Sequence, residues 1–304
     1  MARFFLSGLI NLETTLAIEG FPLNYDPVRY PFFGLQSTVS GVGFNIAAAL
    51  TKLGNQVFFA SLIGSDESGL LARKALTQLG VSDRFVLERS SATAQSVILY
   101  DPDGRRQIHV DLKDIQELRY PQSVARKALV GCDLAVLCNI NFSRNMIKFA
   151  KESGVPIATD VHTLADIKDP YNRDFMDAAD ILFLSDEALT ASPESVAQAL
   201  LAEYGVNILV IGLGDKGALL AVREAGFIGR YPAVFTRTRV NTIGAGDAMF
   251  AAFLDRYWRS KDPQRALQEA MVFASYKVGA KSAAEGFLNG KELNVWVDKL
   301  TNKE

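Results

Sequence analysis

The segment Gly244-Ala245-Gly246-Asp247 has the residue types and spacing of a site that could transfer a phosphoryl group. It follows an extended β-branched run, 234–240, and precedes the apolar run 248–254, which predicts a buried helix. A glycine-rich turn that leads into a helix leaves several backbone N–H groups without helical partners, and the helix dipole adds partial positive charge there. Asp247 could then take a proton from an attacking hydroxyl group while these N–H groups hold the phosphoryl group. A plain strand-to-helix turn with Asp247 as a helix cap would show the same residues.

The composition excludes several other kinds of chemistry. The chain has 304 residues, of which 49% are apolar and 22% are charged, as expected for a globular protein with a sizeable core. A formal charge of −2 without a long basic run argues against nucleic acid as a partner. Cys132 and Cys138 lie in an apolar run and are expected to be buried thiols, so a disulfide or a cysteine-rich metal site is not predicted. The two histidines, His109 and His162, are too few for most zinc and Ser-His-Asp schemes.

The chain shows no candidate membrane span, and no membrane partner is expected. Residues 1–10 are apolar but are interrupted by Ser7 and Gly8, and Glu13 follows soon after. We therefore interpret this segment as the first strand of a sheet rather than a signal peptide, and we expect a cytoplasmic protein.

Short apolar runs alternate with amphipathic stretches along most of the chain. This alternation predicts an α/β fold, a doubly wound, mostly parallel sheet with helices on both faces, in one domain over residues 1–304. The predicted strands cover 57–63, 134–138, 156–159, 181–184 and 208–211, and the predicted helices cover 44–53, 69–79, 145–152 and 195–204.

Two segments, about 12–38 and 92–112, interrupt this alternation. The second contains the turn Asp101-Pro102-Asp103-Gly104 between two alternating runs, which is typical of a β-hairpin. We predict that the two segments form a small antiparallel sheet, although a pair of surface loops is the simpler alternative.

A second glycine-rich segment, Ser40-Gly41-Val42-Gly43-Phe44-Asn45, precedes the helix predicted near residue 46. Taken alone it fits ordinary helix capping. Together the two segments resemble the signatures of the ribokinase-like (PfkB) sugar and nucleoside kinases, G-G-x-G-x-N and D-T-x-G-A-G-D, in the order found in that family. Ser40 stands in place of the first glycine and Asn241 in place of the first aspartate.

The resemblance implies a ribokinase-like fold with a β-sheet lid over the sugar site, and an ATP-dependent kinase that uses Mg²⁺. It implies that Asp247 is the catalytic base and that the amides of Gly244, Ala245 and Gly246 form an anion hole. Because Asn241 lacks the carboxylate that often helps bind a monovalent cation in the family, the resemblance leaves potassium activation unassigned.

On the substrate side, the resemblance implies that Gly41, Gly43 and Asn45 contact the hydroxyl groups of the sugar. Glu13 stands where the family usually has an aspartate that binds two hydroxyl groups, and surface solvation is its alternative role. Asn139 follows the strand that ends at Cys138, and it is a candidate for the same pocket because ligands of open α/β sheets bind at the carboxyl ends of the strands.

On the nucleotide side, the stretch Gly212-Leu213-Gly214-Asp215-Lys216-Gly217 resembles the T-L-G-x-x-G element that lies along the phosphates, although a glycine-rich hairpin turn shows the same pattern. The family's N-x-x-E element corresponds to the stretch from Ser185, but position 188 is alanine, so Glu187 is the candidate carboxylate. Mg²⁺ often relies on water and phosphate oxygens, and no protein metal ligand is predicted. The resemblance also places Thr242 and Ser275 beside the nucleotide.

These expectations favour an ATP-dependent kinase that phosphorylates a hydroxyl group of a small sugar. A nucleoside kinase with the same mechanism is the nearest alternative, in which Phe32, Phe33 or Tyr100 would stack on a base unless they form the core of the lid. A catalytically silent ligand-binding homologue is a third interpretation, motivated by the substitutions at Asn241, Ser185, Ala188 and Gly212. By analogy with the family, a homodimer through the lid is expected.

Overall fold

A computed structural model describes residues 1–301 and contains two β-sheets and nine α-helices within that range. The strands are β1 Arg3–Ser7, β2 Asn11–Ala17, β3 Leu35–Ser40, β4 Gln56–Ile63, β5 Phe85–Glu88, β6 Gln95–Tyr100, β7 Arg106–Asp111, β8 Leu134–Leu137, β9 Ile157–Thr163, β10 Ile181–Ser185, β11 Ile208–Gly212, β12 Ala218–Val222 and β13 Phe227–Tyr231. The helices are α1 Val42–Lys52, α2 Glu67–Leu79, α3 Gln122–Leu129, α4 Asn141–Glu152, α5 Arg173–Ala178, α6 Pro193–Glu203, α7 Ala245–Ser260, α8 Pro263–Lys277 and α9 Gly290–Thr301.

The large sheet has nine strands in the order β13-β12-β11-β10-β9-β8-β1-β4-β5. From β5 to β11 every neighbouring pair is parallel, whereas β12 and β13 add antiparallel strands at one edge. The chain begins in the middle of the sheet and extends it in both directions, so the strand order reverses beside β1. Clefts at the carboxyl ends of strands near such a reversal are where open α/β folds bind ligands.

Helices cover both faces of the large sheet. Alternate side chains of β1 enter different cores: Phe4 and Leu6 pack with α1, α2, α7, α8 and α9, whereas Phe5 packs with α3, α4, α5 and α6. Both faces of the central strands are therefore buried, which explains their nearly continuous apolar sequences. The predicted doubly wound, mostly parallel fold is confirmed, and both Cys132 and Cys138 are buried free thiols.

The small sheet has the strand order β3-β2-β6-β7, and its strands fall in the two segments predicted to form the lid. Both outer pairs are antiparallel, but the central pair, β2 with β6, is parallel. The hairpin predicted at residues 101–104 joins β6 to β7. Phe32 and Phe33 are 85% and 107% exposed, so they do not form a lid core.

The β-branched run 234–240 does not pair with either sheet, because after β13 the chain leaves the sheet edge and crosses to the start of α7. Its last residues are instead held by the end of α8, where the Val240 N–H donates to the Val278 carbonyl. Among residues 1–301, no helix is long and apolar enough to cross a membrane.

Candidate active site

The start of α7 carries the glycine-rich segment. Gly244 lies at the N-cap with φ 73° and ψ 11°, the left-handed conformation that glycine adopts without steric cost. A Cβ at this position would also lie 2.8 Å from the carbonyl oxygen of Ala283. A Cβ at Gly246 would meet nothing within 4 Å, so open space lies over the first turn of the helix. The glycine at position 244 thus shapes the turn, and the glycine at position 246 leaves room above it.

The residues before the helix form a well-tethered loop, which we call the glycine loop (residues 241–246). The Asn241 N–H donates to the Val278 carbonyl, and its side-chain Nδ2 donates to the Lys281 carbonyl at 2.7 Å. The Asn241 Oδ1 accepts from the Ile243 N–H at 3.1 Å. The side-chain amide of Asn241 therefore stabilises the glycine loop through hydrogen bonds to backbone groups.

A chain of hydrogen bonds joins three separate parts of the sequence at the start of α7. Asn45 Nδ2 donates to Asp247 Oδ2 at 2.7 Å, and Ser40 Oγ donates to Glu13 Oε2 at 3.0 Å. The Ser40 hydroxyl also lies 3.3 Å from Asn45 Oδ1. All four side chains are buried. The structure therefore brings together Glu13, Asn45 and Asp247, three of the residues assigned to the site from the sequence.

Close backbone packing makes this convergence possible. A Cβ at Gly43 would lie 2.7 Å from the Cα of Gly8, and a Cβ at Gly41, where φ is 107°, would lie 2.6 Å from the Leu9 carbonyl oxygen. The two glycines let the start of α1 lie directly against the end of β1, which carries Asn45 toward α7. Backbone packing therefore requires glycine at positions 41 and 43. Contact of these two residues with a sugar stays a prediction.

Burial of two carboxylates in one cluster shifts their proton affinity. Burial raises the pKa of Asp247, while the hydrogen bond from Asn45 and the charges of His162 and Lys277 oppose that rise. Burial also raises the pKa of Glu13, with the hydrogen bond from Ser40 opposing and the charge of Asp247 adding to the effect. A carboxylate with a raised pKa is a stronger base at neutral pH.

Two acceptor atoms in this cluster have no hydrogen-bond partner among residues 1–301. They are Glu13 Oε1 and Asn11 Oδ1, and both are buried. Both residues are on β2 two positions apart, so their side chains leave the same face of the strand. A buried acceptor without a donor is unfavourable unless a ligand supplies the donor. These atoms therefore fit a ligand that carries several hydroxyl groups.

The small sheet contacts the glycine loop through Arg106, the first residue of β7. Its Nη1 donates to Thr242 Oγ1 at 3.1 Å, and its Nη2 donates to Glu187 Oε1 at 3.1 Å. A cavity of about 200 Å³ lies between the β6–β7 turn and the glycine loop, and its lining includes Arg106, Arg239 and Thr242. Thr242 and Glu187, both predicted on the nucleotide side, are thus linked by an arginine of the lid.

The other predicted nucleotide-side residues occupy neighbouring strand ends. Ser185 and Gly212 are register partners at the carboxyl ends of β10 and β11, where the Ser185 hydroxyl accepts from the Glu187 N–H at 3.3 Å. Gly214 and Gly217 form the turn of the β11–β12 hairpin, and a Cβ at Gly217 would collide with the Tyr231 carbonyl oxygen. This glycine-rich element is a hairpin turn in the structure, and its nucleotide role stays a prediction.

Two predicted residues form local contacts outside the carboxylate cluster. Asn139 Nδ2 donates to Asn172 Oδ1 at 2.9 Å, which ties it to the segment after β9. Ser275 Oγ accepts from the Thr236 N–H at 3.0 Å and so holds the chain that leads to the glycine loop. Their proposed contacts with sugar and nucleotide stay predictions.

Four residues near the site are absent from the residues predicted to form it: Asn11, Ser40, Arg106 and Lys277. Asn11 carries a signal in the sequence, because it is two residues before Glu13 on an alternating strand. Ser40 replaces the first glycine of the G-G-x-G-x-N signature, so the resemblance assigns it no role. Arg106 looks like a solvated turn residue, and Lys277 ends an apolar helix far along the chain. Their roles depend on long-range contacts that no local pattern encodes.

Known proteins are similar to this chain over most of its length. Residues 19–289 match the model of the pfkB family carbohydrate kinases. The chain is 26% identical over 290 residues to an ATP-dependent ribose-1-phosphate kinase of Halopiger xanaduensis. The alignment covers 93% of this chain and 94% of that protein.

Solved structures share the whole fold. A microbiome-derived acarbose kinase superimposes with a TM-score of 0.87 at 22% identity, over 98% of this chain and 99% of the other. Arabidopsis thaliana ribokinase complexed with ribose and ATP superimposes with a TM-score of 0.79 at 22% identity, over the same shares. The fold is therefore ribokinase-like, and the chain belongs to the pfkB family of carbohydrate kinases.

Proposed function

We propose that this protein is an ATP-dependent kinase that phosphorylates a hydroxyl group of a small sugar. The observation that carries the proposal is the placement of Asp247, which is buried in the first turn of α7, receives a hydrogen bond from Asn45 and lies beside the open space at Gly246. A carboxylate that can accept a proton thus adjoins a helix N-terminus that can hold an anion.

In the proposed reaction, Asp247 accepts the proton of the acceptor hydroxyl group as its oxygen attacks the γ-phosphorus of ATP. The new oxygen–phosphorus bond forms as the bond to the β–γ bridging oxygen breaks, and ADP leaves with that electron pair. The amides at the start of α7 stabilise the negative charge on the transferred group, and the helix dipole adds to this effect. Asn45 holds the Asp247 carboxylate in place through its 2.7 Å hydrogen bond.

The acceptor is a polyhydroxylated molecule in this proposal. Glu13 Oε1 and Asn11 Oδ1 are buried and unpartnered within residues 1–301, and each would accept a hydrogen bond from a sugar hydroxyl group. The names of similar proteins support the same class, since one acts on ribose 1-phosphate and another was solved with ribose and ATP. The identity of the sugar is left to experiment.

ATP is proposed to lie between the ends of β10 and β11 and the glycine loop. Ser185 and Gly212 end these neighbouring strands, and Arg106 joins Glu187 to Thr242 at the same edge. We expect Mg²⁺ to arrive with ATP, whose phosphate oxygens and bound water supply most of its ligands.

The lid also has features that fit a dimer interface. The side chains of Val97, Ile108 and Val110 are between 44% and 49% exposed, and β7 is an edge strand. We propose a homodimer through the small sheet. Sedimentation velocity of the wild type and of Ile108→Glu tests it: a monomeric wild type contradicts the proposal.

The test of function is ADP release from Mg-ATP with a panel of ketoses, aldoses, sugar phosphates and nucleosides. We expect turnover with a sugar or sugar phosphate, formation of a phosphate ester detected by phosphorus NMR, and loss of both in Asp247→Asn. Turnover with nucleosides alone would establish a nucleoside kinase instead. Nucleotide binding without turnover on any acceptor would favour a silent binding protein.

A further inference from the structure

A buried lysine contacts the glycine loop from behind. Lys277 is the last residue of α8, its side chain is 0% exposed, and its Nζ donates a hydrogen bond to the Ile243 carbonyl. Burial of a lysine ammonium group is costly unless nearby groups stabilise its charge. The contact with a carbonyl of the glycine loop is therefore a built feature of the site.

Charged groups from four other elements face this ammonium. They are Asp247 on α7, Glu13 on β2, Glu285 in the segment after α8 and Arg106 on β7. The three carboxylates favour the charged ammonium and the arginine opposes it, while burial lowers the pKa of Lys277 to about 8. The lysine is thus the counter-charge of the two carboxylates that line the acceptor side.

We propose that Lys277 is a positioning residue that fixes the glycine loop through the Ile243 carbonyl and keeps Asp247 ionised. The proposal rests on the kinase function proposed above, because it assigns Lys277 a role in the same reaction. The carbonyl of Ile243 is two residues from Ala245, so a shift of this carbonyl would move the amides at the start of α7. The positive charge also stabilises the ionised form of Asp247, which is the form that accepts a proton.

The chain itself thus supplies a cation at this loop. Asn241 occupies the neighbouring position and uses its amide for backbone hydrogen bonds, so it adds no negative charge. The Lys277 ammonium provides the positive charge that holds the loop carbonyl, and this charge disappears only when the lysine loses its proton.

Kinetics of two variants test the role in catalysis. Lys277→Met keeps the length of the side chain but removes the charge, and we expect kcat to fall roughly 10- to 100-fold, as for loss of a charged hydrogen bond. The acid limb of its kcat profile should move to higher pH, because Asp247 loses a stabilising charge. Lys277→Arg retains the charge and should recover most of kcat. Its alkaline limb should move above the limb near pH 8 that we expect for the wild type.

The matched control is Lys291→Met, which removes an exposed lysine at the start of α9 and should match the wild type in kcat and in both limbs. If the wild type is active and Lys277→Met has the same kcat and pH profile, the proposal for Lys277 is overturned. The proposed kinase function is not affected by that result.

NMR titration of the Lys277 side chain tests the proposal without a measurement of enzymatic activity. Lysine labelled with carbon-13 at Cε allows each side chain to be followed by NMR, and Lys277→Met identifies the Lys277 signal. We expect Lys277 to titrate near pH 8, because burial lowers its pKa below the ordinary range of a lysine side chain. Lys277→Arg removes the same signal and assigns it if Lys277→Met does not fold. Titration of this signal together with the exposed lysines would show a solvated ammonium rather than one buried against the Ile243 carbonyl, and would overturn the proposal even if the protein were inactive.

Discussion

Alanine at Gly246 separates the stability of the fold from the space that the proposed phosphoryl group needs. Gly246 lies in the first turn of α7, and a Cβ there would meet nothing within 4 Å. Alanine favours helix over glycine by about 1 kcal/mol, so the variant should be at least as stable as the wild type. In a protein of this size, that gain corresponds to a rise in Tm of roughly 2 °C.

The same methyl group should strongly impair catalysis. In the proposed site it occupies the space of the transferred phosphoryl group and forces that group away from the backbone donors. Loss of one such donor commonly lowers kcat on the order of 100- to 1,000-fold. Stability and activity should therefore change in opposite directions in Gly246→Ala.

Two other glycines provide controls. Gly244→Ala places a Cβ 2.8 Å from the Ala283 carbonyl oxygen in a left-handed residue, so it should lower both stability and activity, by about 1–2 kcal/mol from the conformation alone. Gly205→Ala adds a methyl group in open space after α6 and should leave kcat unchanged.

Thermal unfolding and steady-state kinetics with the acceptor found in the panel measure these effects. A Gly246→Ala enzyme with kcat and KM within twofold of the wild type would refute the assignment of the anion site to the start of α7.

Three further predictions concern the acceptor side, the lid and the effect of pH on stability. Glu13→Gln keeps the shape but weakens acceptance of hydroxyl groups, so KM for the sugar should rise on the order of 10-fold or more while KM for ATP stays constant; equal changes in both constants would contradict the role of Glu13. Arg106→Gln removes the hydrogen bonds to Thr242 and Glu187, so kcat/KM for ATP should fall on the order of 10-fold, and unchanged kinetics would mean that the lid contact is not used in turnover. Because the pKa of Asp247 is raised in the folded state, its contribution to stability is greatest at acidic pH and is lost as the pH rises through the folded pKa. The Tm of Asp247→Asn relative to the wild type should therefore rise as the pH increases from acidic to neutral, and a difference in Tm that stays constant or falls over this range would contradict the raised pKa.

Much of the fold was predictable because its signals are local. The runs that became β4, β8, β10 and β11 are short, apolar and separated by amphipathic stretches, and the predicted bounds agree with the observed strands within one residue. The turn at residues 101–104 has strong hairpin chemistry, and it joins β6 to β7 as expected. The β-branched run 234–240 lies outside both sheets, because β-branched residues favour an extended chain but do not provide a partner strand.

The candidate site was predictable where glycine marked it. Gly244 and Gly41 need positive φ, and their neighbours Asp247 and Asn45 were predicted as site residues through these motifs. Lys277, Arg106 and Ser40 lie in segments whose local patterns fit a helix end, a turn and a strand end. Only the folded chain brings their side chains to the carboxylates and the glycine loop, so their contacts had no local signal.

The most direct test of the central claim is single-turnover phosphoryl transfer in wild type and Asp247→Asn, with both substrates saturating. We expect the rate of transfer to fall on the order of 100- to 10,000-fold in the variant, while the Kd values for nucleotide and acceptor change only a few-fold. The acid limb of the wild-type rate should be absent from the residual rate of the variant, because no carboxylate titrates there. Transfer at a wild-type rate in Asp247→Asn would contradict the assignment of Asp247 as the base.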